Sequence, residues 1–140
     1  MAENRQIQNS GTTRRNIRIP ETTQTTDAVS TLVYSIRLGE QRASYVRVTA
    51  LCISPTFINT SGIVSEGVFT RATGGNITRA SGNNGSNGPM ERSIGNFPGT
   101  QPSVNIVANP GTQSIDIMVL GKAATTLNWH VEILSLQNLI

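Results

Sequence analysis

"TTLNWHVEILSL", residues 125–136, decides how this chain folds. Thr126, Asn128, His130 and Glu132 alternate in it with Leu127, Trp129, Val131 and Ile133. A β-strand sends successive side chains to opposite faces. The period therefore predicts a strand with Trp129 on its apolar face and His130 on its polar face. These are the only tryptophan and the only histidine of the chain. On opposite sides of one sheet they cannot act on a common substrate without a bulge, and Trp129 reads as a structural anchor of the core.

Working outward, the same period recurs. "TLVYSIRL" places Leu32, Tyr34, Ile36 and Leu38 on one face, and "ASYVRVTALCI" sets Val46, Val48, Ala50 and Cys52 against Tyr45, Arg47 and Thr49. "GIVSEGVFTRA" is a weaker strand, and the Gly74-Gly75 turn leads into "NITRA" as a hairpin. Residues 81–89, "SGNNGSNGP", read as a polar loop too rich in Gly and Asn to pack. "PSVNIVAN" is a short strand closed by the turn Asn109-Pro110-Gly111, and "QSIDIMVLG" alternates Ile115, Ile117 and Val119 with Asp116 and Met118. "GKAATT" reads as a hairpin loop between the last two strands. Six to eight short antiparallel strands without a helical pattern predict an all-β chain, with an antiparallel β-sandwich or jelly-roll-like domain over residues 25–140.

Composition agrees with that class. Hydrophobic residues make up 36% of 140 and aromatic residues only 4%, so the single core is built mainly from Val, Ile, Leu and Ala. Such a modest core gains from an oligomer. The formal charge of +3 has one source. Residues 1–20 carry Arg5, Arg14, Arg15 and Arg18 against Glu3, and the remainder is balanced. Residues 1–24 show no periodicity beyond "NIRIP" and read as an extended basic arm, disordered unless a neighbouring subunit or larger assembly holds it. Its arginines suit bidentate pairing with carboxylates of a partner, and "IRIP" suits addition to a neighbour's sheet edge. Arg5, Arg14, Arg15, Ile17, Arg18 and Ile19 are the candidate protein-interaction residues.

Several chemistries find little support. The single Cys52 allows no internal disulfide and no cysteine-based zinc site. Scattered carboxylates, one His and one Cys make no metal-ligand cluster, and no cofactor is expected. "GNNGSNGP" lacks the Lys-Ser/Thr and the strand-to-helix setting of a phosphate loop. Ser135 and Asp116 could complete a triad with His130, but no nucleophile-elbow pattern accompanies them; an enzyme would have to lose its activity on changing His130 alone. A neutral body without interleaved aromatics argues against direct nucleic-acid binding. No apolar leader or membrane-length stretch is visible, so synthesis in a host cytoplasm without membrane association is expected.

Three runs carry a resemblance: "TTDAVSTLVYSIRLGEQRASYVRVTALCI", "GVFTRATGGNITRASG" and "SIDIMVLGKAATTLNWHVEILSL". Together they resemble small β domains of tailed-bacteriophage structural proteins. A hairpin of the form FxRxxGGxxxR is matched by Phe69, Arg71, Gly74, Gly75 and Arg79. A closing G(K)xxTxNW pattern is matched by Gly121, Lys122, Thr125, Asn128 and Trp129. The resemblance spans roughly residues 24–135 and departs at residues 81–100, which are longer and more polar. It implies a structural role in the virion, often as a trimer, without enzymatic activity.

With one domain, no fibre shaft and a basic arm, the expectation is a homotrimeric cement or decoration protein on the capsid surface. Its arm and strand edges would bridge units of the major capsid protein. The alternative is a tail- or fibre-associated component that contacts tail proteins and reads a host receptor through residues 81–100.

Overall fold

The computed structural model describes residues 14–80 and 90–138. Nine strands run through them: β1 (Arg14–Thr25), β2 (Ser30–Arg37), β3 (Arg42–Ile53), β4 (Thr60–Arg71), β5 (Thr78–Arg79), β6 (Met90–Gly95), β7 (Ser103–Asn109), β8 (Ser114–Leu120) and β9 (Leu127–Asn138). They form a six-stranded sheet in the order β1-β9-β3-β4, with β5 and β6 both pairing with β4, and a three-stranded sheet in the order β2-β8-β7. Every pairing is antiparallel. The chain is all-β.

The core lies between the two sheets. From the large sheet come Val46, Val48, Ala50 and Cys52 of β3, Ile63 and Phe69 of β4, and Leu127, Trp129, Val131 and Ile133 of β9. Ile36, Val104, Ile106, Ile115, Ile117 and Val119 face them from the small sheet. Period-2 alternation builds this layer, because one face of each strand is apolar and must be covered. Trp129 is 1% exposed, and its indole N–H donates to Thr25 Oγ1 at 3.0 Å. His130 is exposed on the other face.

Four expectations need correction. Residues 14–24 are not an arm standing off the domain: β1 pairs with β9 from Arg14 opposite Asn138 to Thr25 opposite Leu127. Residues 1–13 lie outside the described residues. "GKAATT" is not a hairpin loop, because β8 and β9 belong to different sheets. The segment is an arch between layers, and Gly121 sits at its tightest point. A Cβ there would run into the Thr25 side chain and stand 2.7 Å from the Asp27 carbonyl oxygen, so the position needs glycine for close approach.

The third correction is Leu32. The β2–β8 register shifts between Leu32 and Tyr34, leaving Val33 as the extra residue. A bulge of this kind reverses the side-chain parity beyond it. Tyr34 and Ile36 keep the inward face, while Leu32 turns outward opposite Met118. Fourth, the stretch 81–100 is not loop throughout. Residues 90–95 form the edge strand β6 along β4, while 81–89 lie outside the described residues.

Trp129 and His130 should therefore respond differently to truncation. Trp129→Ala is expected to cost about 3–5 kcal/mol through the cavity it leaves. His130→Ala should stay within about 0.5 kcal/mol, as exposed substitutions do. Urea unfolding monitored by circular dichroism measures both.

Candidate functional site

Of the six residues expected to contact a partner, the structure places five in the chain's own sheet. Ile17 and Ile19 stand on the inner face of β1, opposite Ser135 and Ile133, and Ile19 packs against the core. Arg18 points outward and pairs with Glu132 of β9 at 3.0 Å. Arg14 and Arg15 take the first two positions of β1, opposite Asn138 and Gln137. Arg5 lies outside the described residues. The parity of β1 is set by Pro20, which has no N–H to give to a ladder. Pro20 opposes Glu132, so the N–H positions of its parity face away from β9, along the outer edge of the sheet.

The structure does not bring Ser135, Asp116 and His130 together. Ser135 is buried on the inner face and shares a hydrogen bond with Ser44 Oγ at 3.1 Å. His130 faces outward on the same strand, and Asp116 lies on β8 of the other sheet. Among the described residues there is no group of three or more His, Cys, Asp or Glu placed to hold a metal ion. Cys52 is fully buried on the inner face, and burial pushes its thiol up to about 12. A thiol held in that form is a poor nucleophile.

The residues of the two quoted patterns, from Phe69 to Arg79 and from Gly121 to Trp129, act mostly as braces. Arg71 donates through Nε to Gly75 O at 2.9 Å, closing the β4–β5 turn, and through Nη1 to Leu38 O at 3.1 Å. Gly74 takes a positive φ of 69° in that turn, which glycine adopts without strain. Arg79 stacks over the Phe69 ring, 5.8 Å from its centroid, and donates to the Ile106 carbonyl of the opposite sheet. Lys122 Nζ caps the carbonyls of Pro98 and Thr100 at 3.0 and 2.6 Å. Asn128 accepts from Gln24 Nε2 at 2.9 Å.

What remains for a partner is the outer face of the large sheet. Cross-strand register aligns Thr22, His130, Leu51, Gly62 and Ile94 in one row, and Pro20, Glu132, Thr49, Val64 and Arg92 in the next. Leu134, Arg47 and Glu66 follow, then Leu136, Tyr45 and Val68. Gly62 has open space where a side chain would stand, and the face dips beside it. One hollow of about 640 Å³ lies between Pro20, Leu51, Gly62 and His130; a second of about 500 Å³ lies between Gly62, Val64 and Ile94. Leu51 is 45% exposed and Ile94 is 85% exposed.

Two ion pairs border the apolar residues. One is Arg18–Glu132; in the other, Arg47 approaches Glu66 at 3.7 Å while Tyr45 Oη donates to the same carboxylate at 2.8 Å. Burial, with Glu66 beside it, raises the Tyr45 phenol above its ordinary value. Reading one apolar parity per strand misses this face. The signal is present nonetheless, because Leu51, Leu134 and Leu136 occupy positions whose neighbours Thr49, His130 and Glu132 mark them as outward.

No family model and no curated protein matches the sequence. Among solved structures, the chain is similar to the tailspike protein of Acinetobacter baumannii phage AM24, with 9% sequence identity and a TM-score of 0.46. The similarity covers 86% of this chain and 26% of the tailspike, so the chain spans about a quarter of that protein's length.

On the far side of the sandwich, Asp116 collects a polar network. Burial alone would raise its carboxyl, but hydrogen bonds from Asn109, Ser35 and Ser114 outweigh that and hold it below the ordinary carboxylate range. A lowered folded-state value stabilises the fold above the unfolded carboxylate's pKa of about 3.9. That contribution is lost as pH falls through the folded value. Asp116→Asn should therefore lower the melting temperature at pH 7, and the gap to the unmodified chain should narrow on acidification below the unfolded value of about 3.9. Calorimetric scans at the two pH values measure it.

Proposed function

We propose that this chain is a structural subunit of a bacteriophage particle that works by covering and joining protein surfaces, and that its first role to test is a cement protein on the shell. The observation that carries this reading is the open outer face of the six-stranded sheet. A sheet with one solvated side ordinarily alternates apolar-in with polar-out. Here Leu51, Val68, Ile94 and Leu136 break that rule on the same face, Leu51 with Ile94 toward one end and Val68 with Leu136 toward the other. Exposed apolar residues on either side of ion-paired rows suit a protein interface. The resemblance of the sequence to small β domains of phage structural proteins supports a particle as the setting.

In this reading the major capsid protein, or tail proteins in the alternative, covers the open face, and a homotrimer gives the subunit several such faces at once. Joining is then mechanical: apolar surface is buried across a seam, and the ion pairs between the apolar rows fix its orientation. The basic character once expected of a free arm is reduced, because Glu132 neutralises Arg18 within the chain.

Counting copies of the chain per purified particle against the coat protein tests the role. A ratio near one is expected for cement, and a handful of copies would assign it to the tail or a vertex. Absence from particles would overturn the whole reading. Ile94→Glu should leave unfolding within about 0.5 kcal/mol of the unmodified chain while weakening attachment at least tenfold, measured by co-sedimentation with particles lacking the protein.

A further inference from the structure

We propose that β1 is exchanged between copies of this chain, so that residues 14–25 of one copy lie on β9 of another and subunits are joined by the same ladder that closes the sheet within one chain. The inference rests on the reading of the protein as an assembly component, and it specifies how copies hold each other.

Four observations lead to it. First, β1 belongs to the sheet through a single neighbour. Among the described residues its ladder runs to β9 alone, and its side-chain links, Arg18–Glu132, Gln24–Asn128 and Trp129–Thr25, all end on β9 as well. A strand held by one neighbour leaves or arrives as a unit.

Second, β1 contributes little to the core. Its inward positions are Ile17, Ile19, Glu21, Thr23 and Thr25, and only Thr25 is fully buried. Third, the connection to β2 is short and exposed at every position from 26 to 29, held locally by Val29 N–H donating to Asp27 Oδ1 at 3.0 Å. It contributes no buried side chain, and its close neighbour Gly121 lacks a Cβ, which leaves room beside Asp27. An exchanged strand remakes every contact it leaves, so exchange costs only the hinge and the association itself.

Fourth, Pro20 closes the other route. Edge-to-edge stacking needs donors along the outer edge of β1, and Pro20 removes one at the middle of that edge. At this side of the sheet, strand addition then proceeds at β9, whose edge is free when its own β1 has left. The three side-chain links make that edge specific for a second copy of this chain.

Cysteines at Thr22 and His130 test the exchange. The two residues are directly opposed in the β1–β9 ladder, and both are exposed. They share the parity of Pro20, which makes them a non-hydrogen-bonded pair with Cα atoms about 4.5 Å apart, within disulfide range. Cys52 lies buried on the other face and does not compete.

In the full chain carrying both Thr22→Cys and His130→Cys, mild oxidation should give covalently linked dimers or larger rings on a non-reducing gel. When differently tagged Thr22→Cys and His130→Cys chains are produced together, the mixed disulfide should form. Monomers with an internal disulfide would overturn the proposal, as would the absence of any disulfide in the double variant. Light scattering on the same samples separates the two readings. Oligomers with only internal disulfides would defeat exchange and leave the assembly role standing. A monomer that also fails to join particles would defeat both.

Discussion

The fold depends on satisfying both edges of β9. This strand carries four buried apolar side chains, Leu127, Trp129, Val131 and Ile133, and a strand so buried cannot leave a row of backbone groups unpaired. β3 supplies one edge and β1 the other. The bond from the Trp129 indole to Thr25 ties the second edge to the core at the point where the chain leaves for the small sheet. Without β1 the largest apolar side chain would sit on an open margin with its N–H unmatched.

The two sheets are unequal, and the difference shapes the surface. Three strands cannot shield six, so the inner face of β1 is only half covered and polar residues are tolerated there. At one end of β3 and β9 the interior itself turns polar: Ser44 and Ser135 bond to one another, and Gln137 Nε2 donates to Ser135. Across the same strands the outer side turns apolar at Leu134 and Leu136. The amphipathic sense of β9 thus reverses along its length. A strand with both faces partly apolar fits between two protein layers better than between protein and water.

Much of this was legible from single residues. The alternation around Trp129, and that from Val46 to Cys52, gave both faces of β9 and β3 correctly, because a buried face fixes parity. Leu32 was misplaced because a bulge is a backbone event with no side-chain signature in "TLVYSIRL". Only "IRIP" of β1 carries a strand signal, because Glu21 and Thr23 dilute its inner face, and periodicity does not reveal a partner strand more than a hundred residues away. β6 was hidden in "MERSIG", where period 2 is absent. The arch at 121–126 looked like a hairpin because periodicity assigns faces and leaves neighbours open. The outer apolar face could have been found by scoring both parities of each strand rather than the stronger one.

The pairing of the first described strand with the last also governs how the domain can form. As the chain is synthesised, β2 to β8 can collapse early, but β1 has no neighbour until β9 exists. Closing that ladder means bringing together residues as far apart as Arg14 and Asn138, and non-local closure of this kind slows folding. During the wait, the apolar flank of β3 that β9 will cover stays open to solvent. Folding should therefore be slow, cooperative at its last step, and sensitive to protein concentration while that flank remains exposed.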